Sequence, residues 1–400
     1  MRVPSTITRW GVWLLLVGVG GCVDPYTPEV ITAPTSFLVV DGFVNGNGTT
    51  RIKLSRTQNL AASTTPPPPE TKASLTIVSA TGARYAVRER SPGFYQSDSL
   101  TLAPGQYQLR IATAGASPAT YESDLVPLKA TPPIDNLSWR LKSNQLQVLL
   151  STHDATQQAR YYRWKFSETW EFNANYKSFL EYYPSTKEVT ARTTPIYTCW
   201  RTEQPTTIKQ ATTAQLSQDA LVEQDVLDIG DRAERLKIRY SVLVTQYAQT
   251  AEEFAYYEQL RKNTEAVGTV NDPLPTQLTG NVHRTGAATN EPVLGYVGAH
   301  TVQQQRLFID RAELPLPPTW AFESGVPGCT LFQEDLELYK LFRPPLYLHV
   351  PQTITFADPN YVPTDYYFDS STGAMTGYYG ASRECVDCRM RGSITKPSFW

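Results

Sequence analysis

The chain has 400 residues, 41% hydrophobic and 11% aromatic, with 30 Pro and 23 Gly. That is a globular composition, long enough for two domains, and it excludes both a disordered chain and a collagen repeat. Lys+Arg 36 against Asp+Glu 38 leaves a net charge of −2, so there is no electrostatic case for a nucleic-acid partner, and His 4 with Cys 5 restricts metal chemistry from the outset.

Arg2 and Arg9 form a positive region around the start of an uncharged, mostly apolar run, Trp10 to Gly21. A membrane-spanning helix needs about 20 apolar residues, so residues 1–21 read instead as a signal peptide. The run ends in Val19-Gly20-Gly21-Cys22, two small residues directly before a cysteine. That is the pattern of a bacterial lipobox, in which the Cys22 thiol takes a diacylglycerol. An ordinary secretory signal is the competing reading. Each buried CH₂ of an acyl chain contributes about 0.8 kcal/mol, so two or three chains on Cys22 anchor firmly and make the lipid bilayer an expected partner. Residues 22–35, with Pro25, Pro28 and Pro34, read as an extended tether.

Residues 36–131 are short β-runs separated by turn signals. Phe37-Leu38-Val39-Val40 leads to Val44-Asn45-Gly46-Asn47-Gly48, which carries an Asn-Gly turn, and then to the alternating Arg51-Ile52-Lys53-Leu54-Ser55. Leu75-Thr76-Ile77-Val78, Tyr85-Ala86-Val87, Phe94-Tyr95 and Tyr107-Gln108-Leu109-Arg110-Ile111 come next. Parallel crossovers need a dozen residues or more, so strands this close are antiparallel neighbours. The pattern is that of an immunoglobulin-like sandwich, and Leu75 to Ile111 resembles transthyretin-like and carboxypeptidase-regulatory-like sandwiches. Thr131-Pro132-Pro133 marks the boundary, because two prolines deny a ladder two donors.

Residues 132–400 read as a larger, mainly antiparallel β domain. From Tyr162 the even positions are Tyr162, Trp164, Phe166, Glu168, Trp170 and Phe172. The odd positions, Arg163, Lys165, Ser167, Thr169 and Glu171, predict one wet face. Leu236, Ile238, Tyr240, Val242 and Val244 repeat the device. Thr250-Ala251-Glu252-Glu253 predicts a helix over 251–264: Thr at the cap with Glu253 three residues on is a capping box. Phe254, Tyr257 and Leu260 would form its apolar stripe. Val293 to Val297 and Gln305 to Ile309 look like a strand pair.

Setting Cys22 aside leaves Cys199, Cys329, Cys385 and Cys388. An even number in an exported chain predicts two disulfides, with three possible pairings. One closes Cys385 on Cys388; the other two staple the tail to distant segments and constrain the unfolded chain more, which favours them. A redox Cys-x-x-Cys wants to open a helix after a strand, and zinc wants two further ligands nearby. Neither context is visible around Cys385.

Several pieces together resemble one family. They are Leu38-Val39-Val40-Asp41-Gly42 with Lys53-Leu54-Ser55-Arg56-Thr57, then Tyr256-Tyr257-Glu258-Gln259-Leu260, Leu278-Thr279-Gly280-Asn281-Val282 and Leu294-Gly295-Tyr296. The tail adds Cys385-Val386-Asp387-Cys388-Arg389, Gly392 and Lys396-Pro397-Ser398-Phe399-Trp400. With the lipobox, these resemble the Bacteroidetes lipoproteins of the "domain of unknown function 4249" family. The resemblance implies an outer-membrane lipoprotein, often encoded beside a TonB-dependent transporter. It implies no established activity, and it brings no catalytic residue and no cofactor.

The residues themselves offer little chemistry. Hydrolase signatures such as G-x-S-x-G and H-E-x-x-H are absent. Gly42 to Gly48 has the glycines of a phosphate loop but sits between strands, as a hairpin turn would. His153-Asp154 could orient an imidazole, or be a solvated turn. Glu334-Asp335-Leu336-Glu337 with Asp310 and Glu313 could hold Ca²⁺, but matches no EF-hand spacing, and no metal site is predicted. Asp98-Ser99-Leu100 fits a short O-glycosylation acceptor pattern. Tyr366, Tyr367, Tyr378 and Tyr379 are the candidate ligand-binding residues, against the plainer reading that β-domains use Tyr on sheets and loops. The expected function is a non-enzymatic outer-membrane lipoprotein, accessory to a TonB-dependent transporter. The alternatives are a stand-alone glycan- or peptide-binding lipoprotein and an exported hydrolase of unfamiliar type.

Overall fold

The computed structural model describes residues 36–58, 66–115, 118–265, 278–286, 291–316, 320–335 and 354–400. The leader, Cys22 and the tether lie outside the described residues. Strand accounts for 51% and helix for 9% of the described residues, so the protein is mainly β, as its period-two runs predict.

The first body starts with β1 (Leu38–Asn45), β2 (Asn47–Arg56), β3 (Ser74–Ser79), β4 (Arg84–Ser91), β5 (Phe94–Thr101), β6 (Gln106–Ala112), β7 (Thr120–Ser123) and β8 (Val126–Pro127). Gly46 turns β1 into β2 where the Asn-Gly signal stands. The strands form one curled antiparallel sheet in the order β7-β6-β3-β4-β5-β2-β1. Their inward residues, among them Leu38, Ile52, Leu54, Ile77, Leu109 and Ile111, are essentially buried and share one core. Burying such a side chain contributes roughly 1.5–3 kcal/mol.

The second body contains β9 (Ile134–Lys142), β10 (Gln145–His153), β11 (Tyr161–Asn173), β12 (Leu180–Tyr183), β13 (Glu188–Ala191), β14 (Thr198–Glu203), β15 (Lys209–Thr212), β16 (Ala220–Gly230) and β17 (Arg239–Ala248). Helix α1 (Ala251–Glu265) comes after it, and then β18 (Val282–Thr285), β19 (Ala299–His300) and β20 (Val302–Asp310). One sheet runs β16-β10-β9 and a second runs β14-β11-β17-β20. Leu146, Val148 and Leu150 of the first meet Trp164, Phe166, Val242 and Val244 of the second across one core. Glu168, the acid in the apolar register of β11, is buried there because the Tyr240 hydroxyl donates to it at 2.6 Å and Arg235 at 2.5 Å.

The chain then returns. β18 pairs with β7, and residues 294–300 run parallel to β1, with Val40 N–H donating to the Leu294 carbonyl and Gly46 N–H to that of His300. Gly295, at φ +121°, makes this close approach possible: a Cβ there would lie 1.9 Å from the Val40 carbonyl oxygen. The Asn281 amide clips Val297 through both its N–H and its carbonyl. The expected pairing of Val293–Val297 with Gln305–Ile309 is therefore not made. The first segment lies along β1, and β20 pairs with β17.

A smaller sheet closes the chain: β21 (Phe332–Asp335), β22 (Tyr361–Phe368) and β23 (Met375–Ser382), in the order β21-β23-β22. Two disulfides tie it down, Cys199–Cys388 and Cys329–Cys385. The Cys-x-x-Cys is thus split between two partners rather than closed on itself. Gly392 lets the tail lie flat, since a Cβ would sit 2.6 Å from the Trp200 carbonyl and 2.8 Å from the Phe172 ring. Arg391 stacks over Phe172 at 4.4 Å and forks onto Glu234 at 2.8 and 3.0 Å. Phe399 lies under the Arg306 guanidinium at 3.5 Å, and Trp400 donates to Glu171.

Those contacts change the reading of the outer face of β11 and β17. The period of two predicts it wet. Arg163, Thr169 and Ser241 are instead buried and Ser167 and Glu171 half-buried, while Lys165 is exposed as predicted. The tail covers one end of this face, and α1 with the first body meets the other.

Candidate functional site

The two bodies leave a cleft of about 810 Å³ between them. Strand register explains its lining. On the outward face of the first sheet, Asp41 lies opposite Lys53 and Lys53 opposite Phe94; Phe43 lies opposite Arg51 and Arg51 opposite Gln96. On the outer face of the second body, Lys165, Thr245 and Gln304 form one row across β11, β17 and β20. Both rows open into the same space, and Arg90 stands at its side. Among the described residues, four cations therefore meet there, Arg51, Lys53, Arg90 and Lys165, against the single carboxylate of Asp41. None of the four makes an ion pair with a described residue. Lys165 keeps solvent access through the cleft mouth, while close protein on all other sides and the neighbouring Arg163 hold its pKa below the ordinary lysine value.

Next to the cleft lies a buried charged node. Arg163 of β11, Glu253 of α1 and His300 of β19 are 4%, 1% and 0% exposed. Glu253 Oε1 is 3.5 Å from His300 Nε2 and 3.8 Å from Arg163 Nη2. The Arg163 guanidinium lies 3.7 Å from the centre of the Tyr257 ring, and His300 stacks on Phe43 at 4.2 Å. Burial alone would push the Glu253 carboxyl up, but His300 and Arg163 outweigh it and hold it below its ordinary value. Burial also pushes the Tyr247 phenol, beside Arg163, up to about 12. Phe43 and Tyr247 touch the node on one side and line the cleft on the other. The node thus fixes the cleft walls, because α1, β1, β11, β17 and β19 all converge on it.

The capping box of α1 is half made. Thr250 Oγ1 accepts from Glu253 N–H at 3.1 Å, but the Glu253 side chain turns into the node instead of reaching back to the cap. Its expected apolar stripe, Phe254, Tyr257 and Leu260, is only half-buried.

The four candidate tyrosines sit elsewhere, on the β22–β23 hairpin. Tyr366 faces Tyr378 at 5.9 Å on one side, and Tyr367 meets Tyr379 at 5.4 Å on the other. Tyr378 is buried against Phe356, whereas Tyr366 is exposed. They do not form one platform. His153 pairs with Asp135 at 2.7 Å rather than with Asp154, which caps its own turn through Thr156, Gln158 and Ala159. Asp310 pairs with Arg239, and no group of three or more metal-ligating side chains occurs among the described residues. Gly42 to Gly48 is the β1–β2 hairpin, and it forms part of the cleft wall. Sequence reasoning missed Arg163, Lys165, Glu253 and His300. The available signal was two cations on one strand face and an acid in the first turn of the helix after β17, and it does not say that these faces meet.

Fold and tail define a mainly β protein of curled, sandwich-like sheets stapled by two disulfides. The chain belongs to the family described as "Domain of unknown function (DUF4249)", whose model matches residues 23–306. The match stops before the cysteine-containing tail. No curated protein matches the sequence. Among solved structures, a two-fibronectin-type-III segment of chicken tenascin is 13% identical, over 52% of this chain and 88% of that one, at a TM-score of 0.15. A DUF4785 family protein from Legionella pneumophila is 11% identical over 52% of this chain and 51% of its own, at a TM-score of 0.18. A putative carbohydrate binding protein from Bacteroides uniformis is 9% identical over 54% and 90%, at a TM-score of 0.15. Likenesses this weak assign nothing to the cleft.

Proposed function

We propose that this chain is a non-enzymatic, lipid-anchored outer-membrane protein that serves a TonB-dependent transporter in nutrient capture or uptake. The observation that carries the reading is Val19-Gly20-Gly21-Cys22 at the end of a short apolar run. Two disulfides suit an oxidising compartment outside the cytoplasm. The open cleft suits capture, since a ligand can enter without any part of the fold unfolding.

The test is mass spectrometry of the Cys22 peptide from native membranes, together with affinity purification of the tagged full chain. The expected result is a diacylglycerol on Cys22 and a co-purifying barrel transporter. Cys22→Ser should release the protein from the membrane fraction. An intact leader with an unmodified Cys22 overturns the anchor, and a lipidated protein with no envelope partner overturns the transporter role. In the latter case the stand-alone binding lipoprotein becomes the reading, and the cleft is again what favours it.

A further inference from the structure

We propose that the cleft between the two bodies is a ligand site for an organic anion that carries two or more carboxylate or phosphate groups around an apolar or ring-shaped body. The inference rests on reading the chain as a capture protein, but not on its lipid anchor. The net charge of the whole chain is only −2, with cations and acids nearly equal in number. Four cations against one carboxylate in a single cleft is therefore a local segregation, and a concave wall focuses that field outward. Lys165 is the sharpest part of it. Its ammonium stands at the junction of the bodies, beside another cation, with no ion pair to a described residue. Exposed to the cleft and unpaired by any described carboxylate, this ammonium is available to pair with an arriving anion.

The geometry sets the rest of the ligand. Arg51 and Lys53 are two apart on β2, so their backbone positions lie about 6.6–6.8 Å apart on the same face, within the reach of both side chains to one molecule. That spacing engages two acid groups of one molecule, with Lys165 facing them from the other wall. Phe94, half exposed, lies 5.4 Å from the Lys53 ammonium, and Phe43 lies deeper. These rings offer an apolar surface between the charges. A cleft of about 810 Å³ lies within the range of small-molecule sites.

The experiment is calorimetric titration of the detergent-solubilised full chain with benzene-1,3,5-tricarboxylate, glucose 1,6-bisphosphate and trigalacturonate, and with maltotriose as the neutral control. At least one anion should bind saturably at about 20 mM salt and weaken markedly at about 300 mM, where the Debye length is shorter. The three anions separate a carboxylate, a phosphate and a sugar acid. Lys165→Met should weaken binding about tenfold or more, and the double variant Arg51→Gln, Lys53→Gln should do at least as much. Arg140→Gln, on the distant β9 and paired with Glu223, should change nothing. The double variant alters exposed positions on the opposite wall, so it carries the test independently of Lys165→Met. Anion binding no stronger than maltotriose binding, or wild-type affinity in the double variant, overturns the proposal. Anion binding by a chain without lipid on Cys22 would uphold the site and sink the envelope reading. A lipidated, transporter-bound chain that binds none of the anions would do the reverse.

Discussion

Consider removal of the Cys199–Cys388 disulfide by the double substitution Cys199→Ala, Cys388→Ala. Its half-cystines are 189 residues apart, and the Cys329–Cys385 bond, with a separation of 56, is nested inside that loop. With the inner bond intact, subtracting 56 from 189 leaves an effective loop of about 133 residues. Chain entropy then gives about 5 kcal/mol of stabilisation at 25 °C for the outer bond and about 4 kcal/mol for the inner one. The outer bond also fills the core that Trp164, Trp170 and Phe172 share, so the two lost sulfurs add a small packing term. Urea unfolding of the full chain, monitored by tryptophan fluorescence, measures the loss. The outer-bond variant should lose about 5 kcal/mol, and more than the matching Cys329→Ala, Cys385→Ala variant by roughly 1 kcal/mol. A loss below about 1 kcal/mol, or a larger loss from the inner bond, refutes the argument that these staples act on the unfolded chain.

Two further predictions concern buried polar groups, and they stand beside the Cys22 and cleft experiments. Glu253→Gln leaves Arg163 and His300 without their carboxylate and should cost about 3–5 kcal/mol in the same unfolding assay. The carboxyl is held below its ordinary 4.5, so its ionised form contributes full stability above that value and loses it as pH falls through the lower, folded-state pKa. Melting curves recorded between neutral pH and that acid range should accordingly fall less steeply for Glu253→Gln than for wild type. Tyr162→Phe removes the hydroxyl that donates to Asp219 at 2.8 Å and leaves the donors Thr213 and Arg160 N–H in place. It should cost about 1–2 kcal/mol, and a cost near zero would show that the phenol is dispensable there.

Much of the framework is legible in the residues. The alternation from Tyr162 to Phe172 places β11 and its buried face, Asn45 to Gly48 places a hairpin, and Thr250 places the start of α1. Alternation says which residues share a face, not what covers the polar one. Arg163 reads as solvated for that reason, although it is buried under α1; Lys165 is exposed as its register predicts, but into the cleft. The capping box states a local preference for Glu253, and a buried guanidinium and imidazole override it. Ala299–His300 is too short for any period to reveal, and its partner lies about 250 residues earlier in the chain. Tyr366 and Tyr378 look alike in sequence and sit opposite each other on one face of the strand pair, yet the first is exposed and the second packs into a small core.

The path of the chain along β1 has a consequence for how this architecture is inherited. The N-terminal unit borrows Val293, Val297 and Ala299 for its own interior from far downstream. A gene fusion or excision cut at Pro132 would carry away an incomplete unit, with the outer edge of Leu38–Asn45 bare and able to template aggregation. Recombination can therefore move this front half only together with the later segment that completes it, and the two halves are obliged to evolve as one piece.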